Sequence, residues 1–360
     1  MGKIEEISMD EQQQSLLNDL SKNFTGNFKD DMTYIVSKVK DHFRDLQEDE
    51  ELRQRIEKVL LDAYPEEEEP ILRLWTDLTD RSDDDFIQHM KELIDEGKAT
   101  DAQFEMNLFI NAMEADFIEY KPKPNVKYYS INDWIDLFIF TWYEPQTLEL
   151  RPTKRDYSKI YNSYAEVLMA ANEWQEAAEA YKQALLWNPY NAKTIFNLAG
   201  VYQLMEQYGM SFATILNGFR YAVRREDFSR GYAYLAYFYE KKDDLKTATQ
   251  LYYLSLAWSD NSRAQERLAV IEEEMGYLEP ALEGEALQKF KKDYRINNYP
   301  NAEMLNGLKA AASRAMALHS YETAYVYYGL YMDLVDSPED YIVKMIRELD
   351  YRLKGNQDCE

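Results

Sequence analysis

The chain has 360 residues, 46% of them hydrophobic and 30% charged, with only 12 glycines and 10 prolines. That balance excludes a disordered or loop-rich polypeptide and suits a helical protein large enough to bury a sizeable core. The net charge of -25 opposes nucleic-acid binding, which draws on Lys and Arg to displace counterions from phosphates. The acidity is uneven: residues 1–150 carry a net -20 and residues 151–360 a net -5, so the favoured partners of the N-terminal part are basic surfaces. One cysteine, Cys359, allows no internal disulfide or thiolate cage and fits a reducing cytoplasm.

The first residues, Met1-Gly2-Lys3-Ile4-Glu5-Glu6, lack the basic start and apolar core of a secretory signal. Helices are expected from there on. Between Asp31 and Leu46, Met32, Ile35, Val36, Val39 and Phe43 fall at helical spacing, and Leu52, Ile56, Leu60 and Leu61 repeat the pattern over Glu50 to Tyr64. The acidic run Glu66 to Glu69 with Pro70 reads as the start of a helix holding Ile71, Leu72, Leu74 and Trp75. Ser82 with Asp85, Thr100 with Gln103 and Ser130 with Asp133 have the spacing of capping boxes, giving three more helix starts and about seven helices in all before residue 150. The apolar stretch from Trp134 to Trp142 is broken by Asp136 and is too short to span a bilayer. Prolines in Tyr120 to Asn125 and in Glu144 to Pro152 resist helix, and the second segment is the expected domain boundary.

From residue 158 the sequence repeats itself. The run Ala180 to Pro189 returns as Leu251 to Asp260, displaced by 71 residues, which is two periods of 34 plus an insertion of three, expected to lie in a turn before the third hairpin. In the first unit Tyr161, Tyr164, Ala165, Leu168, Ala177, Tyr181 and Ala184 mark the spacing. A period later stand Ile195, Leu198, Ala199, Tyr202, Ser211, Ile215 and Gly218, and after the insertion Tyr232, Leu235, Ala236, Tyr239, Ala248, Tyr252 and Ser255. Small residues let two antiparallel helices approach, while large ones fill the seam to the next pair. The pattern weakens in a fourth pair around Leu268, Ala269 and Ala281. It is recognisable in a fifth around Leu308, Ala311, Ala312, Ala324 and Tyr328, and a polar-faced helix over Tyr341 to Leu353 follows as a cap.

These residues resemble the tetratricopeptide repeat family. The resemblance implies an all-α, right-handed α-solenoid of helical hairpins over 151–337, preceded by an acidic helical domain over 1–150 and closed by a capping helix and tail over 338–360. It implies a concave groove lined by leading-helix positions between the packing ones, here Asn162, Glu166, Phe196, Asn197, Gln203, Arg230, Tyr234, Tyr237 and Lys241. It also implies a protein or peptide ligand. Some members hold acidic C-terminal tails in a basic, asparagine-rich clamp, from which Asn162 and Glu166 depart. A carboxylate would face Glu166 unpaired, which disfavours that ligand.

Chemistry has little foothold. There is no G-x-G and no G-K-S/T for phosphates, and His42, His89 and His319 are far apart with no H-E-x-x-H. Asp83-Asp84-Asp85 lacks the glycine and distal glutamate of a calcium loop and reads as a charged helix start. No cofactor and no metal are expected. The sequence therefore points to a soluble, non-enzymatic adaptor that binds a peptide or helix. The alternative is a peptide-responsive regulatory receptor, since a helical bundle followed by such repeats resembles the layout of bacterial Rap-type proteins.

Overall fold

The computed structural model describes residues 9–39, 50–68, 71, 82–296 and 299–355. Among them the chain is all-α, with seventeen α-helices. Two compact units are distinguished, residues 1–130 with 147–180 and residues 131–146 with 181–360. The boundary expected near 150 thus falls within the first unit.

That unit begins with α1 (Met9–Lys22), α2 (Phe28–Val39) and α3 (Glu50–Ala63). The anticipated apolar faces are buried: Met32, Ile35, Val36 and Val39 on α2, and Leu52, Ile56 and Leu60 on α3. Phe43 and the helix expected over Ile71 to Trp75 lie outside the described residues, apart from Ile71, which is buried. Next come α4 (Asp83–Asp95) and α5 (Ala99–Met113). Ser82 caps α4 as expected, its hydroxyl accepting from the Asp85 amide at 3.2 Å. Thr100 does not cap α5, because Gly97 turns the chain so tightly that helix resumes at Ala99. Phe86 of α4 stacks on Phe109 of α5 with ring centroids 4.2 Å apart.

Contrary to the helix-only expectation, two short strands pair in parallel, β1 (Val126–Tyr129) and β2 (Glu149–Pro152). β2 lies within the second proline-containing segment read as irregular, and β1 directly follows the first. Extended backbone is what residues around proline prefer, and Val126, Tyr128 and Tyr129 suit a pleated surface. Ser130, expected to cap a helix, instead donates to the Arg155 carbonyl at 2.9 Å beyond the end of this ladder. The unit is completed by α7 (Tyr157–Ala170) and the first half of α8 (Trp174–Trp187). α7 packs on α4 and α5: Tyr161 donates to Glu114 at 2.8 Å and Tyr164 to Asn107 at 2.7 Å. Arg155 pairs with Asp83 at 2.8 Å and Lys159 with Asp84 at 2.6 Å. The aspartate triplet is therefore a helix start held by cations.

In the second unit, α9 (Ala192–Leu204) pairs with α10 (Tyr208–Tyr221), and α11 (Arg225–Glu240) pairs with α12 (Leu245–Trp258). Then come α13 (Ser262–Met275), α14 (Gly284–Asp293), the pair α15 (Ala302–Ala317) and α16 (Tyr321–Leu334), and α17 (Asp340–Gly355), the expected cap. The fourth pair departs most. Ala281 stands exposed in the stretch between α13 and α14, and α14 buries only Phe290.

Elsewhere the repeat register is the packing register. Ala199, Ala236, Ala248, Ala312 and Ala324 have no exposed surface, and Ile195, Leu198, Tyr202, Ile215, Tyr232 and Tyr252 are buried with them. The three inserted residues do not lie in a turn. α11 is 16 residues long against 13 for α9, so the insertion adds nearly one helical turn and leaves the buried face in phase.

The apolar stretch from Trp134 forms α6 (Trp134–Tyr143), capped by Asp133, within this second unit. Asp136 explains its seat. Buried on α6, it accepts from Asn188 at 3.1 Å and from Asn191, and pairs with Arg224 at 2.9 Å. A carboxylate inside an apolar helix costs stability unless paired, and here three donors converge on it.

Candidate peptide-binding face

Arg230, Tyr234 and Tyr237 of α11 and its C-cap Lys241 follow one another at spacings of four, three and four residues, which places them on one face of the helix. The opposite face carries Phe228, Tyr232, Leu235 and Ala236 and is buried. Half-exposed, the rings of Tyr234 and Tyr237 both lie beneath the guanidinium of Arg263, at 5.4 and 5.3 Å from its carbon. The Lys241 ammonium stands 5.1 Å from the Tyr237 centroid. Such contacts pin a ring while leaving its edge available. Arg230 donates to the Asn197 carboxamide oxygen at 2.6 Å, which joins α9 to the row.

Beside this row a pocket of about 360 Å³ opens between α11 and the start of α13. Arg230, Tyr234 and Arg263 line it, with Glu226, Ser229 and Asn261. Neither guanidinium forms a salt bridge with a described carboxylate. Both signs of charge are present, so the pocket suits a peptide with polar and charged groups better than a purely apolar ligand.

Two expected groove residues are not on this face. Phe196 is fully buried, its ring seated where α10 and α11 present glycines. A Cβ added at Gly218 would stand 2.6 Å from that ring, and one at Gly231 would stand 2.7 Å from it. Phe196 is one residue away from Asn197, a turn of about 100°, and that turn sends it inward. Gln203 is also buried, donating to the Tyr234 main-chain carbonyl at 2.7 Å. It braces α11 from behind. Asn162 and Glu166 belong to the first unit, where both are half-buried and the Asn162 amide bonds the Ser158 carbonyl at 2.8 Å.

Arg263 was not among the expected residues. It opens the leading helix of the fourth pair, where the repeat is weakest, yet it follows the N-cap Asn261 as directly as Lys193 follows Asn191. A capping signal, rather than the hydrophobic period, would have found it.

The histidines do not assemble a centre. His89 meets Glu105 at 3.2 Å inside the first unit, His319 occupies an exposed turn, and His42 lies outside the described residues. Among the described residues no cluster of His, Cys, Asp or Glu suits a metal ion. No described helix is long and apolar enough to cross a membrane.

No family model matches the chain, and no curated protein matches it. Among solved structures it is similar to pilF of Pseudomonas aeruginosa, with 14% identity and a TM-score of 0.36, over 75% of this chain and 96% of that one. The superposition is loose, and the all-α assignment rests on the helices and packing described above.

Proposed function

We propose that this chain is a non-catalytic interaction module in which tetratricopeptide-like hairpins hold a peptide or helix against α11. The observation that carries the reading is the row of Tyr234 and Tyr237 under Arg263, half-exposed on a helix whose other face is sealed in the core. Tyrosine gives a large contact at low entropic cost, and an arginine already stacked on it loses little freedom on binding. The net -20 of residues 1–150 supports a partner with a basic surface, engaged by the acidic first part of the chain. The single cysteine supports a cytoplasmic setting.

Selection from a random peptide library displayed on phage tests the groove. Selected peptides should lose at least about tenfold in affinity on Tyr237→Ala, the behaviour of an aromatic anchor. Peptides that bind the variant and the original chain equally would place the contact elsewhere and overturn the reading.

A further inference from the structure

A second concavity, of about 500 Å³, lies between α6 and the α15–α16 hairpin. Its wall is built from rings and alanines: Phe138, Trp142 and Tyr327 face Ala311 and Ala315. The rings are fixed by their own packing. Phe138 and Tyr327 meet edge to face at 5.0 Å, and Trp142 rests on the bare backbone of Gly307, where a Cβ would lie 3.0 Å from the indole. Trp142 nevertheless keeps 40% of its surface exposed and Leu318, at the rim, 69%. Large apolar side chains left open around a preformed hollow of this volume are the hallmark of a small-molecule site.

The only charged residue in the wall is Arg314. It is exposed and forms no ion pair or side-chain hydrogen bond with a described residue. In a chain with 66 acidic and 41 basic residues, a hollow with one unpaired guanidinium and no carboxylate is selective by charge. Thr141, Gln146 and Thr323 add neutral polar groups around the rings.

We propose that this hollow binds a small amphiphilic carboxylate, an aliphatic or aromatic body against Phe138, Trp142 and Tyr327 with its anionic head on Arg314. A guanidinium offers two parallel donors that match a carboxylate, while the alanines leave the volume that the body fills. The site stands on other helices than the α11 face and does not depend on the peptide reading.

Calorimetric titration of the full chain with decanoate and with 1-decanol, each below its self-association concentration, tests the proposal. Decanoate should bind saturably, about tenfold or more tighter than decanol, as a charge-assisted hydrogen bond warrants. Arg314→Gln should abolish that preference and leave decanol binding as it was. Ala311→Leu should weaken both, with far-UV circular dichroism to show that it folds. Ala310→Phe, at an exposed position of the same wall, should do likewise without touching the core. Absence of saturable decanoate binding, as expected if the hollow takes only a protein segment, would overturn the proposal. So would a preference that survives Arg314→Gln, or full binding by both filled variants.

Discussion

The phenol of Tyr234 rests on the bare backbone of Gly200, where a Cβ would stand 2.7 Å from the ring. α9 thus sets the pose of a side chain on α11, and the response to substitution depends on whether the ring can retreat. Tyr234 is half-exposed and can swing outward, so Gly200→Ala should change stability by no more than about 1 kcal/mol, its gain in helix propensity offsetting lost contact. Phe196 has no exposed surface. Gly231→Ala, which drives a Cβ into the Phe196 ring, should therefore destabilise by about 1–3 kcal/mol. Urea denaturation of the two variants measures the contrast, and equal losses would contradict it. Gly200→Ala should also weaken any peptide held on Tyr234.

Asp136 yields a second prediction. Asp136→Ala leaves Arg224 partly buried without its inner carboxylate and strips Asn188 and Asn191 of their shared acceptor. The expected loss is about 3–5 kcal/mol, the cost of breaking a buried pair rather than the worth of the pair. Asp136→Asn retains an acceptor for the asparagines and should lose less. Thermal melts that rank the two variants in the opposite order would show that an acceptor oxygen is not what Asp136 supplies to the asparagines.

Much of this fold is legible in the sequence, because a 34-residue period states which side chains face a neighbouring helix. Ala199 and Ala236 were placed correctly for that reason, and both have no exposed surface. The period is silent where a residue's fate is decided by another helix. Phe196 and Asn197 both fall between the packing positions of the period, yet the hollow that takes Phe196 is made by Gly218 and Gly231, 22 and 35 positions away. Asp136 reads as a blemish in an apolar helix until Arg224 is seen beside it. The strands β1 and β2 escape for the same reason, since each is paired by the other, more than twenty residues away. On the candidate face, Arg230, Tyr234, Tyr237 and Lys241 are positions that the family resemblance implies, and helical spacing puts them on one side of the helix, whereas Arg263 stands in a pair whose period has decayed.

Asp227 predicts a pH effect. It is buried on α11, and that burial pushes its carboxyl up to about 6 despite the opposing charge of Arg224. The folded state then binds a proton more readily than the unfolded chain, in which an aspartate titrates near 4. Its unfavourable contribution is absent below about pH 4, grows between about pH 4 and 6, and is complete above that, up to about 3 kcal/mol. Asp227→Asn abolishes the ionisation and can still accept from the Arg224 amide. Its stability relative to the original chain should therefore rise between pH 4 and 6 and then level off. Urea denaturation at pH 4, 5, 6 and 7 measures this, and a difference independent of pH would mean that Asp227 does not titrate in that range.

The hairpin turns carry the last prediction. Asn172, Glu206, Asp243 and His319 each sit in the left-handed region, with φ of 64°, 58°, 62° and 58°. The first two are one repeat apart, and the third follows after a repeat plus the three inserted residues. After each of them the next amide reaches back five residues, Glu173 to Leu168 at 2.9 Å, Gln207 to Tyr202 at 2.8 Å, Asp244 to Tyr239 at 3.0 Å and Ser320 to Ala315 at 2.9 Å. This bond satisfies a terminal carbonyl and closes the first helix of the pair, but it obliges the residue before it to adopt positive φ. Glycine pays no steric penalty there, whereas a side chain costs about 1–2 kcal/mol, least for asparagine and aspartate. Glu206 is exposed and lacks their short polar side chain. Glu206→Gly should therefore stabilise the chain by up to about 1 kcal/mol, while Asn172→Gly should gain less because asparagine already tolerates the conformation. Thermal melts rank the pair, and a fall in melting temperature for Glu206→Gly would show that its side chain contributes more than its backbone costs.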